Sequence, residues 1–256
     1  MNNPKPCIFR DSWIMFKRCL LISTRNPETM AMAIITPFFL MVLFGTVFGG
    51  VADMGEINYI DFIVPGIILQ SVAQGSQYAA INITTDMTKG IIDRFRSMPI
   101  SKAAVLIGHA MASIVRNTIT TAVIIGTAFI VGFRPSGGVT DWLVTVGIFM
   151  LFIIAITWIA IFFGLLSKTA ESSTGFMFPL FILPFLSSGF APTDTLPRGL
   201  RWFAENQPMT PIIDSTRALM LGWPTDNSIW IAIAWCVGIT VFSFVAAVQV
   251  YKRKLA

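Results

Sequence analysis

Charge is scarce in this chain: only 12% of its 256 residues are Asp, Glu, Lys or Arg. A typical soluble domain carries about 25%. With 55% of residues hydrophobic and a mean hydropathy of +0.74, the chain's solvent is lipid, and no large water-soluble domain fits beside its apolar stretches. Histidine occurs once, as His109. That excludes a multi-histidine metal centre, and no Gly-x-Ser-x-Gly elbow accompanies it to suggest a hydrolase. There are three cysteines, Cys7, Cys19 and Cys236, too few and too dispersed for a disulfide framework or a metal site. The first 28 residues lack the short apolar core and small-residue cleavage site of a secretory signal, so no targeting peptide is expected to be removed.

What the chain has instead is a series of long oily runs. About 20 helical residues cross the roughly 30 Å of hydrocarbon in a bilayer. Six segments qualify: Met30 to Phe48, Phe62 to Ile83, Ala104 to Phe133, Trp142 to Leu166, Thr169 to Leu186 and Ile229 to Tyr251. The expectation is an all-α, polytopic membrane protein with six transmembrane helices, forming one domain over residues 1–256. The fifth segment is short, carries Pro179 and Pro184, and runs into Ser187-Ser188-Gly189, so it is expected to end within the outer half of the membrane.

Lys and Arg are retained on the cytoplasmic side, and here they divide unevenly. Lys5, Arg10, Lys17, Arg18, Arg25, Lys89, Arg94, Arg96, Lys102, Lys168, Lys252, Arg253 and Lys254 fall on one side of the six-span scheme; Arg134, Arg198, Arg201 and Arg217 fall on the other. Both termini are therefore expected in the cytoplasm of a multi-pass protein of the cell membrane. The net charge of +5 follows from this topology and gives no reason to expect nucleic-acid binding.

Between the spans lie three segments of mixed character. Residues 1–28 carry Phe9, Trp13, Phe16 and Leu20 at helical spacing, with charges recurring about every seven residues, which predicts an interfacial helix. Residues 187–228 are about half apolar; Pro197 stands at a helix start, and Pro208, Pro211 and Gly222-Trp223-Pro224 interrupt, so two short outer helices are expected. Asp214 and Arg217, three apart on the second, are placed to pair on one face. In residues 84–101, Ile91, Ile92, Phe95 and Met98 share one side of a helix while Lys89, Asp93, Arg94 and Arg96 take the rest, and Pro99 stops it.

That last segment carries a resemblance. Gly90-Ile91-Ile92-Asp93-Arg94-Phe95-Arg96-Ser97-Met98-Pro99-Ile100-Ser101, followed by Ala104-Val105-Leu106 and Gly108, resembles the loop after the second span of type-2 ABC exporter permeases, particularly the daunorubicin-resistance branch. Phe190-Ala191-Pro192-Thr193, Leu196-Pro197, Asn206-Gln207-Pro208-Met209-Thr210-Pro211, Asp214, Arg217 and Leu221-Gly222 are similar to the same branch's signature before its last span. With Asn26-Pro27 and Pro37, the likeness spans nearly the whole chain in order.

The resemblance implies a half-transporter with an N-terminal elbow helix, a coupling helix in the first cytoplasmic loop and short outer helices between spans five and six. It implies pairing with a second permease, as a homodimer, and with two copies of an ABC ATPase. Carried over by position, Gly90, Ile91, Ile92, Asp93, Arg94, Phe95, Arg96 and Met98 would seat in a groove of the ATPase, with Phe95 and Met98 as apolar anchors. The chain has no Gly-x4-Gly-Lys-Ser/Thr phosphate loop. It is therefore expected to be no enzyme and to hold no cofactor or metal, ATP and Mg residing on the partner subunit. The cargo implied is an amphipathic drug-like molecule or lipid moved outward, with a lipid-linked glycan, or an ATP-independent carrier or channel, as the alternatives.

Candidate path residues follow from polarity inside apolar runs. Gln70, Gln74 and Gln77 form a polar stripe on the second span that would line a translocation path or hydrogen-bond between helices. Phe38, Phe39, Phe44 and Phe48 on the first span and Phe176, Phe178, Phe181 and Phe185 on the fifth are candidates for an apolar cleft, Phe38 and Phe181 foremost. Asp214 and Arg217 are candidates for an outer gate. His109 is expected to face cytoplasmic headgroups, and Arg116 to snorkel toward the inner edge of the hydrocarbon.

Overall fold

The computed structural model describes residues 7–25, 27–47, 58–91 and 101–255, all helix and connecting turn with no strand among them. Its α-helices are α1 Ile8–Thr24, α2 Pro27–Val47, α3 Tyr59–Thr88, α4 Lys102–Val131, α5 Val139–Leu166, α6 Ala170–Ile182, α7 Arg198–Asn206, α8 Met209–Met220 and α9 Ser228–Leu255. Short 3-10 turns at Leu183–Leu186 and Thr193–Thr195 complete the path from α6 to α7.

Among the described residues, three helices are both long and apolar enough to cross a membrane, over Ala103–Val131, Val139–Leu166 and Ser228–Lys254; Ala31–Val47 and Ala170–Leu186 are apolar but shorter. The second predicted span, α3, has length in hand: its 30 residues extend about 45 Å. Its apolarity is diluted by Gln70, Gln74, Gln77 and several hydroxyl residues. Large apolar side chains point away from the fold, among them Trp230 (70% exposed), Phe242, Leu143 and Ile130. An exposed apolar surface of this extent belongs in lipid.

The centre of the fold is α3, nearly every residue of which from Phe62 to Ser76 is buried. It packs against α2, α4, α5, α6 and α8. Small residues set the closest approaches. A methyl on Gly164 of α5 would collide with Ala80 and Ile83 of α3, and one on Gly66 would strike the backbone of Gly189 beyond α6. Where α3, α5 and α6 converge, Thr84 Oγ1 donates to the Gly164 carbonyl at 2.7 Å and lies 2.6 Å from Ser173 Oγ.

Helix ends obey local rules. Gly132, at φ +118°, terminates α4, and Gly222, at φ +67°, terminates α8; both take the left-handed conformation that favours glycine after a helix. Thr169 and Ser172 form a reciprocal cap at the start of α6.

One boundary requires correction. The first cytoplasmic segment was drawn from Thr84, but α3 continues to Thr88, carrying Thr84 and Asp86 inside the helix because both are buried and bonded. The apolar face predicted for the N-terminal helix was Phe9, Trp13, Phe16 and Leu20. Phe9 at 89% exposure and Trp13 at 50% face away from the protein, on the side left open to acyl chains, while Phe16 joins a buried stripe of Asp11, Ser12, Met15 and Cys19. This face crosses α4 at Gly108, where a side-chain carbon would collide with Met15.

Candidate functional site

Among the described residues, three clusters built around charged side chains interrupt the apolar interior, and each joins elements remote in sequence. The first lies beside the predicted coupling segment. Arg18 of α1 reaches Asp86 near the end of α3 with both guanidinium ends, Nη1 to Oδ2 at 2.6 Å and Nη2 to Oδ1 at 2.9 Å. His109 of α4 approaches Asp86 Oδ2 through Nε2 at 3.0 Å, and its Nδ1 lies 3.6 Å from Cys19 Sγ. Hydrogen bonding to Asp86 raises the Arg18 pKa above its ordinary value against an opposing desolvation. His109 is only 4% exposed and so does not face solvent or headgroups as expected; the carboxylate supplied by α3 draws it inward.

Asp11 makes a second link from the same helix. Its Oδ2 accepts from the Cys7 backbone N–H at 3.2 Å and from the Ser101 N–H at 3.1 Å, at the residue immediately before α4. Helix α1 thus holds the chain just before the predicted coupling segment, at Asp86, and just after it, at Ser101. Gly90, at φ +64°, turns the backbone out of α3, and Ile91 follows it. Ile92, Asp93, Arg94, Phe95, Arg96 and Met98 lie outside the described residues.

The second cluster occupies the middle of α3 and α4. Arg116 is buried and does not snorkel. Nη2 donates to the Gly75 carbonyl at 2.8 Å, Nη1 to Ser23 Oγ at 3.2 Å, and the guanidinium carbon lies 5.7 Å from the Tyr78 ring centre. The nearer acceptors hold it in place of distant headgroups. Asn117 bonds Ser76 Oγ at 2.9 Å, and Gly75 admits this contact because a methyl there would strike the Asn117 amide. Of the predicted stripe, Gln70 is buried, while Gln74 and Gln77 are half-buried.

The aromatic candidates are not gathered into one cleft. Phe38 is exposed on α2, and Phe181 on α6 packs its ring 6.1 Å from Phe185. The ring contacts between these regions run through a residue outside the predicted set, Phe190: Phe185 stacks on it at 4.6 Å and Phe44 meets it at 5.2 Å. Phe176 stacks on Phe163 of α5 at 5.5 Å, and Phe48 lies outside the described residues.

The third cluster fixes the outer helices. Arg217 and Asp214 do pair, Nη1 to Oδ1 at 2.9 Å, but the pair is no simple surface contact. Arg217 also donates from Nε to the Phe62 carbonyl at 3.0 Å and from Nη2 to the Ser188 carbonyl, and it is 5% exposed. Ser188 Oγ completes the ring by donating to Asp214 Oδ1 at 2.6 Å. Gln207 meanwhile donates to the Leu186 and Leu183 carbonyls, satisfying the end of the α6 path.

Among the described residues, no group of three or more His, Cys, Asp or Glu side chains is placed to hold a metal ion. Sequence patterning missed Asp86, Cys19 and Phe190. A lone acid amid threonines looks like loop, and only an apolar run continuing past it would have marked Asp86 as helical.

The profile of the ABC-2 type transporter family matches residues 10–221. Daunorubicin resistance ABC transporter permease protein DrrB1 of Streptomyces coeruleorubidus is 25% identical over 241 residues, covering 93% of this chain and 85% of the relative. "Probable doxorubicin resistance ABC transporter permease protein DrrC" of Mycobacterium tuberculosis is 27% identical over 241 residues, covering 92% of this chain and 86% of the relative.

Proposed function

This chain belongs to the ABC-2 type transporter family, and from that premise we propose that it is the transmembrane half of an ATP-driven exporter carrying an amphipathic drug-like molecule or lipid outward. The membrane-crossing helices would number six: α4, α5 and α9, joined by α2, α3 and the α6 path through Leu186. Helix α1 would lie at the cytoplasmic interface as an elbow, α7 and α8 at the outer one, and both termini inside the cell. A second copy would complete the permease. ATP and Mg would be held by two copies of a separate ABC ATPase.

The observation that carries this reading is the double hold of α1 on the coupling segment, Arg18 to Asp86 before it and Asp11 to the Ser101 N–H after it. Force delivered to residues between these points would reach α1, α3 and α4 together instead of bending a loose loop. Two such bodies, drawn together as the ATPases close, would switch the cleft between permeases from inward to outward access. The daunorubicin and doxorubicin resistance named for the relatives supports an amphipathic cargo.

Reconstitution tests the reading. Vesicles containing the chain and its ATPase should move a fluorescent amphiphile only with ATP and Mg present. Transport by the chain alone in ATP-free vesicles would place it among carriers or channels.

A further inference from the structure

We propose that the cavity beside Arg116 is a binding site for one membrane phospholipid with a net negative headgroup. The cavity has a volume of ≈ 250 Å³ and lies among α1, α2, α3 and α4, lined on its polar side by Arg116, Tyr78, Asn82 and Thr120. Ile22 and Ile119 stand at its edge, and Ile119 is 52% exposed to the surroundings of the bundle. Pockets for whole drug-sized ligands measure about 300–1,000 Å³, so this one accepts a headgroup while acyl chains remain outside along the isoleucines.

Charge selects the headgroup. Arg116 is 93% buried by its exposure of 7%, and no carboxylate pairs with it among the described residues. A guanidinium offers five N–H donors. Two of its nitrogens are used, on Gly75 and Ser23, and Nε has no partner. An uncompensated buried cation is costly, and an anion beside it removes that cost. No acidic side chain lines the cavity among the described residues, whereas the neighbouring cavity around Arg18, Lys89 and His109 already contains Asp86. A planar guanidinium matches a phosphate in two-point geometry. A cationic amphiphile would meet the same charge as a repulsion. The site needs only a membrane-embedded chain and does not depend on the direction or cargo of transport.

Native mass spectrometry of the full-length chain, supplied with phosphatidylglycerol, phosphatidylcholine of the same acyl chains, or inorganic phosphate, tests the proposal. The unaltered chain should retain one phosphatidylglycerol about tenfold more strongly than phosphatidylcholine. Arg116→Gln should fall to the phosphatidylcholine level, and Arg116→Lys should lie between, since it keeps the charge but not the fork. Inorganic phosphate should not displace the lipid. Equal retention of both lipids, undiminished phosphatidylglycerol on Arg116→Gln, or displacement by inorganic phosphate would each overturn the assignment. Should Arg116→Gln not fold, Ala33→Phe decides: it fills the apolar side with the charge intact. Loss of phosphatidylglycerol by that variant at an unchanged unfolding temperature supports the site, and wild-type retention overturns it.

Discussion

Arg217 meets Phe62 twice, donating from Nε to its carbonyl oxygen at 3.0 Å and laying its guanidinium carbon 3.7 Å from the centre of its ring. The contact ties α8 to the first turn of α3, while the Ser188 carbonyl and Asp214 take the remaining ends of the fork. Asp214 is 43% exposed, so losing the guanidinium strands the buried Phe62 and Ser188 carbonyls and no buried charge, at a cost of about 1–3 kcal/mol. We expect Arg217→Ala to lose stability in that range and Arg217→Lys to recover only part of it, because an ammonium lacks the planar fork. Exchanging Asp214 and Arg217 should rescue nothing: a carboxylate at 217 would face the carbonyl oxygens of Phe62 and Ser188. Thermal inactivation of the three variants checks this, and rescue by the exchange would mean that pairing alone matters.

The Asp86 network makes a parallel case on the opposite side of the fold. Asp86→Asn should destabilise the chain by about 3 kcal/mol, the lower end of the range for a broken buried pair, because Arg18 is partly exposed. Asp86→Leu combined with Arg18→Met and His109→Leu should be nearer the unaltered chain, since it removes the whole network instead of stranding one member. The comparison is made by unfolding in detergent. An Asp86→Asn variant melting at the wild-type temperature would deny the network a structural role.

Topology is tested at two exposed positions. Asp194 lies in the Thr193–Thr195 turn and Lys252 in the last turn of α9. In a background with Cys7, Cys19 and Cys236 replaced, a cysteine at 194 should react with an impermeant maleimide on intact cells, and one at 252 only after the membrane is opened. Reversed labelling would invert the orientation inferred from the Lys and Arg distribution.

Hydropathy marked the long helices, and Pro197 and Gly222-Trp223-Pro224 marked the ends of the outer helices, because those signals are local; the stop at Gly132 was passed over, the third span being drawn to Phe133. The polar clusters were half visible. Asp214 and Arg217 stand three apart, so their pairing was legible, but Phe62 and Ser188 reach the same guanidinium from other elements. A lone arginine in an apolar run suggested snorkelling for Arg116; its acceptors, Gly75 and Ser23, lie 41 and 93 residues away in sequence. Asp86 was placed in a loop for the same reason, its partner Arg18 being 68 residues distant. Such contacts are set by packing, and periodicity carries no record of them.

The energy-coupled reading is tested most directly at Phe95, which lies outside the described residues, between the two points that α1 holds. An aromatic anchor buried at an interface typically costs more than about 2 kcal/mol when truncated, whereas a Phe resting on lipid costs the complex little. Phe95→Ala should therefore leave the permease inserted and paired, weaken its association with the ATPase by about thirtyfold or more, the equivalent of about 2 kcal/mol, and abolish cargo-stimulated hydrolysis. Arg94→Ala and Arg96→Ala should do less, with effects greatest at low salt because rim charges are screened. The α1 links sharpen the test. Asp11→Asn weakens the hold on the Ser101 N–H without altering Phe95, so it should spare ATPase binding while lowering transport per ATP hydrolysed. If Phe95→Ala binds the ATPase and transports as the unaltered chain does, the docking assignment fails. If Asp11→Asn loses binding and coupling together, α1 orders the segment for docking instead of passing on its movement.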